Sequence, residues 1–103
     1  MNVIETYKDV EKVLKKDFVM IIAKSHTCSA CKSILGMLEQ NVPNLDNIEI
    51  QSVYIDDMDQ FRGEHLIFSV PTVLIFSKGK ELLRESRYIN YSKVTRLIDI
   101  YTS

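Results

Sequence analysis

The sequence lacks several features that would assign the chain to common functional classes. No apolar run approaches the roughly 18–20 residues of a membrane-spanning helix. The first nine residues contain Glu5 and Asp9 and have no basic segment followed by an apolar one, so we predict no signal peptide. The formal net charge is only −1, which disfavours nucleic acids and anionic membrane surfaces as partners. We therefore expect a cytoplasmic protein that binds neither nucleic acid nor membranes.

The chain does contain enough apolar material for a core of its own. Hydrophobic residues make up 46% of its 103 residues, which suffices for one domain without disulfide staples. We find no internal repeat, no low-complexity segment and no linker. The sequence therefore predicts a single domain over residues 1–103, and we expect a monomer.

Cysteine is scarce, and the only two cysteines, Cys28 and Cys31, form a C-x-x-C motif. Stable disulfides are rare in the cytoplasm, where a close pair is more often catalytic, redox-sensing or metal-binding. Tetrahedral zinc needs four ligands, and His26 and His65 are the only further soft ligands. We predict no metal and no cofactor in one chain. A metal site shared by two chains and an inert structural pair remain alternatives to redox function.

Hydrophobic periodicity predicts an α/β fold. The predicted helices cover residues 6–16, 29–41, 58–67 and the segment after an N-cap at Asn90; the predicted strands cover residues 2–5, 18–23, 48–55, 71–76 and 81–88. This order implies a mixed sheet of four to five strands with helices on both faces. Gly36 lies inside the second helix at a cost of about 1 kcal/mol relative to Ala, and we expect it to allow a bend or the close approach of a neighbouring backbone.

The cysteine pair lies where a predicted strand meets a predicted helix. A thiolate, not a thiol, attacks disulfides, and the free N–H groups and dipole at a helix N-terminus stabilise a thiolate. Cys31 follows Cys28 by nearly one helical turn and lies on the apolar helix face, so we expect it to be the more buried thiol. The pattern predicts Cys28 as the nucleophile and Cys31 as the resolving thiol, with a redox-active disulfide between them.

These features resemble the thioredoxin family over nearly the full length of the chain. The Cys-Ser-Ala-Cys motif at residues 28–31 is similar to the family's active site. The segment Ser-Val-Pro-Thr-Val-Leu-Ile-Phe at residues 69–76, followed by Lys-Gly-Lys at 78–80, is similar to the family's region around a cis-proline and the hairpin after it. The resemblance implies a thioredoxin-like fold and a cis peptide bond before Pro71, next to the cysteines.

The resemblance also implies an activity and its partners. Thr27, Val70 and Pro71 would form the substrate-binding edge beside the catalytic cysteines. The implied activity is that of a protein-disulfide reductase in electron transport and cell redox homeostasis. Its partners would be disulfide-containing protein substrates and an upstream thiol reductant such as a thioredoxin reductase.

Several positions depart from the family pattern. Typical members read Trp-Cys-Gly-Pro-Cys, whereas this chain has Thr27 for the Trp and Ser29-Ala30 between the cysteines. Ile22 stands where the family has a buried Asp, Ser52 where a Lys faces that Asp, and Arg87 near a groove glycine. The usual proton relay for the second cysteine is therefore absent, which predicts a changed redox potential and partner choice. The alternative function is a non-catalytic binding or redox-sensing module.

The remaining candidates are the histidines and the aromatic residues. A protonated His26 could favour the Cys28 thiolate or relay its proton, but we favour an exposed loop residue. For His65 we favour a solvated helix residue over one that approaches the cysteines. The aromatic side chains fall at core-type positions in the pattern, and we assign them no ligand role.

Overall fold

A five-stranded mixed sheet organises the protein. The computed structural model describes residues 2–103. The helices are α1 (Tyr7–Leu14), α2 (Ile34–Asn41), α3 (Asp59–Glu64) and α4 (Tyr91–Thr102), and the strands are β1 (Asn2–Val3), β2 (Val19–Lys24), β3 (Glu49–Tyr54), β4 (Thr72–Ser77) and β5 (Lys80–Ser86). The spatial strand order is β1-β3-β2-β4-β5. β1, β3 and β2 are parallel, while β4 and β5 are antiparallel to their neighbours. Within residues 2–103, no helix is long and apolar enough to cross a membrane.

Two hydrophobic cores lie on the two faces of this sheet. α1 and α3 pack against one face, and α2 and α4 pack against the other. Successive residues of the central strand β2 alternate between the cores, so that Ile21 belongs to one and Ile22 to the other. Burying each such side chain stabilises the fold by about 1.5–3 kcal/mol. The arrangement confirms the predicted α/β class with helices on both faces, and it explains why β2 reads as an unbroken apolar run.

Side-chain caps set the start of the first and last helices. The Oγ1 atom of Thr6 accepts a hydrogen bond from the Asp9 N–H at 3.2 Å. The Oδ1 atom of Asn90 accepts one from the Lys93 N–H at 3.1 Å. Each cap satisfies one of the backbone donors that a helix start leaves free. Asn90 is the predicted N-cap, and Thr6 is the first residue of the predicted helix over residues 6–16.

The predicted helix over residues 29–41 is not continuous. Residues Ala30–Lys32 form a single 3₁₀ turn, and α2 begins only at Ile34. Between them, the Ser33 Oγ donates a hydrogen bond to the Ala30 carbonyl at 3.2 Å. Such a side-chain bond competes with α-helical pairing of the backbone. The prediction that the cysteines open a regular α-helix is therefore wrong, because a tighter turn carries Cys31.

One of the two alternatives for Gly36 does not hold, and three aromatic side chains are not packed as expected. No atom outside the helix backbone lies within 4 Å of the position that a Cβ of Gly36 would occupy, so no neighbouring backbone approaches it closely. Phe68 and Tyr88 were expected at core-type positions but are 85% and 90% exposed, and Tyr101 is 47% exposed. Phe68 and Tyr88 lie in the segments that flank β4 and β5, outside both cores.

Candidate active site

The two cysteines lie in the loop and turn that follow the central strand. Both are free thiols; Cys28 is half-buried, whereas Cys31 is only 5% exposed. This confirms that Cys31 is the more buried of the two. The Cys31 N–H points at the Cys28 Sγ, with 3.2 Å between nitrogen and sulfur. The backbone thus offers a hydrogen bond to the sulfur on which a nucleophile's charge would develop.

Cys31 is held in its neutral form by its surroundings. Burial raises the pKa of the Cys31 thiol to about 11, and a hydrogen bond with Cys28 acts in the same direction. The backbone at Ser25 and the positive charge of Lys24 act against this increase. Desolvation disfavours the thiolate because the charge loses contact with water. Cys31 therefore needs assistance before it can act as a nucleophile near neutral pH.

Pro71 lies next to the origin of the cysteine loop. The Val70–Pro71 peptide bond is cis, as the resemblance implies. Because Thr72 of β4 pairs with Ala23 of β2 in antiparallel register, Pro71 stands level with Lys24, where β2 ends. Pro71 is buried and Val70 is half-buried. The fold thus brings the two sequence motifs to the same edge of the sheet, where β2 ends and β4 begins.

Thr27, the third predicted substrate-binding residue, is exposed in the cysteine loop. Its Oγ1 lies 3.5 Å from the Ser25 Oγ. A small polar side chain therefore stands where a Trp is typical of the resembled family. The cysteine motif and Thr27 share this loop, while Val70 reaches the same edge from the neighbouring strand β4.

Ile22 and Ser52 face each other in the middle of the sheet. They are direct partners in the parallel register of β2 and β3, and both are 0% exposed. The Ser52 Oγ donates a hydrogen bond to the Asn2 carbonyl at 3.2 Å. Neither side chain titrates near neutral pH. These two positions therefore supply no proton relay to the cysteines.

His26 is exposed, as predicted, but its ring is held by two contacts. The imidazole stacks on Tyr54, with 3.9 Å between ring centroids and 10° between planes. Its Nε2 lies 2.7 Å from the Asp57 Oδ2, and its backbone N–H donates to the Asp56 Oδ2 at 3.1 Å. The hydrogen bond with Asp57 raises the pKa of His26, and the charge of Asp56 adds to the effect. Asp57 therefore engages one of the two ring nitrogens of His26.

His65 packs against residues of the core that contains α1 and α3. Its ring lies 4.9 Å from Phe61 and 5.7 Å from Phe76, measured between centroids. Burial lowers the pKa of His65 because the charged imidazolium would lose its hydration. The prediction of a solvated helix residue is therefore wrong. The alternative also fails, because His65 does not line the cleft at the cysteines.

Sequence reasoning missed Lys24 and Tyr54. An open cleft of about 270 Å³ runs beside both thiols, and Lys24, Tyr54 and Lys32 are among the residues that line it. Lys24 and Tyr54 are partners in the register of β2 and β3, and the Lys24 Nζ lies 5.0 Å from the centroid of the Tyr54 ring. The available signal was a lysine at the end of an otherwise apolar strand.

Potential metal ligands come together at one place among residues 2–103. The ligand atoms of His26, Asp56 and Asp57 lie within 4.8 Å of one another, and all three residues are exposed. The hydrogen bonds between His26 and the two carboxylates account for this arrangement. Neither cysteine belongs to this group, which is the one found among residues 2–103.

Comparisons with known proteins agree with the fold described above. The family model described as Thioredoxin matches residues 2–102. The thioredoxin-like protein YdfQ of Bacillus subtilis is 26% identical over 95 residues, which cover 91% of this chain and 85% of that protein. A thioredoxin of Mycoplasma genitalium is 23% identical and covers 97% of this chain and 96% of its own length. The solved thioredoxin of Malassezia sympodialis has a TM-score of 0.80 at 24% identity and covers all of this chain and 91% of its own.

Proposed function

The chain belongs to the thioredoxin family, and from this premise we propose that it reduces disulfide bonds in protein substrates. At the level of the family, thiol–disulfide oxidoreductase activity is supported by the matching family model and the curated relatives. The finer proposal assigns Cys28 as the nucleophile and Cys31 as the resolving thiol. The substrates would be disulfide-containing proteins, and the protein would act in the cytoplasm as a monomer.

Two exchange steps make up the proposed reaction. The Cys28 thiolate attacks one sulfur of the substrate disulfide, forms a mixed disulfide and expels the other sulfur, which takes up a proton. The Cys31 thiolate then attacks the Cys28 sulfur, and the second substrate thiol leaves with a proton. The substrate gains two electrons while the Cys28–Cys31 pair is oxidised to a disulfide. An upstream thiol reductant, such as a thioredoxin reductase, would restore both thiols.

The observation that carries the proposal is the contact between the Cys31 N–H and the Cys28 Sγ at 3.2 Å. It supports the assignment, because the Cys31 backbone lies directly beside the Cys28 sulfur and closing a disulfide between the two residues would need little rearrangement. Thr27, Val70 and Pro71 would receive the substrate, because they reach the same edge of the sheet. An extended substrate segment could pair with the Val70 backbone there.

Reduction of insulin disulfides by a coupled thiol reductant tests the proposal. The parent protein should turn over, and Cys28→Ser should not. Cys31→Ser should accumulate a mixed disulfide on Cys28 that mass spectrometry detects. Ser92→Ala is the control, because it changes an exposed polar side chain in α4 and removes no sulfur. If Cys28→Ser reduced insulin as fast as the parent, the catalytic assignment would be wrong.

A non-catalytic binding or redox-sensing module is the second candidate. The pairing of Ile22 with Ser52 favours it, because the resembled family's proton relay is missing there. A glutathione redox titration separates the two functions. A two-electron potential accompanied by turnover supports the reductase, whereas a defined potential without turnover supports the sensor. Metal analysis of protein purified without chelators tests the remaining alternative of a metal site shared between two chains.

A further inference from the structure

We propose that Lys24 is a positioning residue that holds a positive charge beside Cys31 while this thiol attacks the mixed disulfide. The inference rests on the proposed function, since it concerns the second exchange step. It assigns to the end of β2 the electrostatic assistance that Ile22 and Ser52 do not provide. Lys24 acts through Cys31 and makes no contact with the substrate in this step.

The position of Lys24 follows from the sheet. Lys24 is the last residue of β2 and is half-buried, while the preceding residue, Ala23, is 0% exposed. Its partner in β3 is Tyr54, and the Lys24 Nζ lies 5.0 Å from the centroid of the Tyr54 ring. A cation at this distance from an aromatic face is attracted to it. The ring therefore helps to hold the ammonium group at the cleft that both thiols line.

Cys31 is the group that needs this charge. Burial raises the pKa of the Cys31 thiol to about 11, and Lys24 is the lysine whose charge opposes that increase. An opposite charge near a partly desolvated group favours its ionised form. Even with this charge nearby, only a small fraction of Cys31 is thiolate near neutral pH, and without it the fraction would be smaller still.

The other charged groups near the cleft are less suited to this role. Lys32 follows Cys31 directly but is exposed, so solvent screens its charge. His26 is hydrogen-bonded to Asp57 and lies near Asp56, so two carboxylates offset its positive charge. Among residues 2–103, no acidic side chain lines the cleft itself. Lys24 is therefore the basic side chain at the cleft that is best placed to act on Cys31.

The assistance is electrostatic, and Lys24 keeps its proton throughout. Cys31 loses its proton to water, and the thiolate attacks the Cys28 sulfur. A sulfur–sulfur bond forms between the cysteines as the bond from Cys28 to the substrate breaks. The departing substrate thiolate carries the electron pair and takes a proton from water. Lys24 lowers the free energy of the thiolate before the attack and requires no further reactant.

Alkylation of Cys31 tests the charge effect without turnover. In a Cys28→Ser background, the rate of reaction with iodoacetamide between roughly pH 7 and 9 is proportional to the thiolate fraction of Cys31. Lys24→Gln should lower this rate about three- to tenfold, the effect of raising the pKa by about half to one unit. Lys24→Arg should retain the parent rate because it keeps the charge. Lys32→Gln, the matched control, should change the rate much less.

A two-step reaction with the neutral aromatic disulfide dithiodipyridine tests the kinetic consequence. Attack by Cys28 releases the first thiopyridone, and attack by Cys31 releases the second. In Lys24→Gln, with both cysteines present, the second release should slow about three- to tenfold, and by more than the first. Lys24→Arg should restore it. Both releases are followed by absorbance after rapid mixing.

The two proposals fail in different ways. Equal alkylation rates with and without the Lys24 charge would overturn this inference, as would an equally large effect of Lys32→Gln or a failure of Lys24→Arg to restore the rate. If the protein reduces insulin but Lys24→Gln leaves the alkylation rate of Cys31 unchanged, the role of Lys24 is refuted and the proposed function is not. A Lys24-dependent Cys31 in a protein without reductase activity would refute the proposed function alone.

Discussion

The imidazole of His26 lies parallel to the ring of Tyr54, with their centroids 3.9 Å apart. The same aromatic ring attracts the Nζ of Lys24 at 5.0 Å. One side chain at the end of β3 thus contacts two basic residues that precede the cysteines. Asp57 follows β3, and its Oδ2 lies 2.7 Å from the His26 Nε2. The start of the cysteine loop is therefore anchored to the end of β3.

The His26–Asp57 pair predicts a specific pH dependence. The hydrogen bond with Asp57 raises the pKa of His26 in the folded protein above that of the unfolded chain. Its stabilising effect is therefore fully present below about pH 6.5 and is lost as the pH rises through the folded value. Asp57→Asn should lower the His26 pKa in an NMR titration, and should destabilise the protein more at pH 6 than at pH 8.5.

Urea unfolding at both pH values measures the stability part of this prediction. Asp46→Asn is the control, because Asp46 is an exposed carboxylate on another 3₁₀ turn, Leu45–Asn47. It should show no such difference between the two pH values. An equal loss of stability at both pH values in Asp57→Asn would contradict the proposed origin of the effect.

Arg84 should stabilise the segment that leads from α3 to Pro71. Its guanidinium donates hydrogen bonds to the His65 carbonyl at 2.6 Å and to the Leu66 carbonyl at 3.0 Å, and it pairs with Glu81. Leu66 has a φ of 52°, a conformation that residues other than glycine disfavour. The hydrogen bonds from Arg84 therefore help to hold this segment in place. Arg84→Met should lower the free energy of unfolding by about 1.5–3 kcal/mol.

Glu81→Gln provides the matched comparison for Arg84. It removes only the surface ion pair, so we expect a loss below about 1 kcal/mol. Urea denaturation measures both variants, and hydrogen exchange at residues 65–70 should accelerate in Arg84→Met alone. If the two variants lost the same stability, the carbonyl contacts of Arg84 would not contribute as proposed.

Gly36 and Gly79 should respond oppositely to substitution by alanine. Gly36 lies within α2, and a Cβ there would meet no atom within 4 Å, so Gly36→Ala should raise the free energy of unfolding by about 0.5–1 kcal/mol. Gly79 has a φ of 85° in the turn between β4 and β5, so Gly79→Ala should lower it by about 1–2 kcal/mol. Chemical denaturation of both variants is the measurement. A stability gain in Gly79→Ala would refute the argument from backbone conformation.

Replacing Ile22 by the aspartate that is typical of the family should destabilise this protein unless a partner charge is added. Ile22 is 0% exposed and lies opposite Ser52. At neutral pH, Ile22→Asp should cost about 3–5 kcal/mol, as an unpaired buried charge does. Burial should raise the pKa of the new carboxyl above its unfolded value, so the loss should grow as the pH rises from about 4.

Two companion variants sharpen this test. Ile22→Asn places a neutral amide of similar size at the same position, so its cost should not change with pH over this range. Adding Ser52→Lys to Ile22→Asp should recover part of the stability by pairing the two charges. Urea unfolding at pH 5 and pH 8 compares these three proteins with the parent and with the Ser52→Lys single variant. Strict additivity of the two substitutions would show that the positions do not interact.

Local chemistry allowed much of this protein to be predicted. The caps at Thr6 and Asn90 are short-range hydrogen bonds, and the unbroken apolar run of β2 requires burial on both faces wherever the strand lies. The spacing of Cys28 and Cys31 indicates a redox pair because three residues span nearly one helical turn. These signals lie within a few residues of one another, so sequence alone reveals them.

Only the tertiary structure decided which groups surround the cysteine pair. The register of β2 against β3 brings Lys24 to Tyr54, and packing against two phenylalanines partly buries His65. Strand register and burial depend on contacts between distant segments, which hydrophobic periodicity does not specify. The sequence by itself therefore determined that two thiols lie at the end of a central strand, and the fold determined which charges act on them.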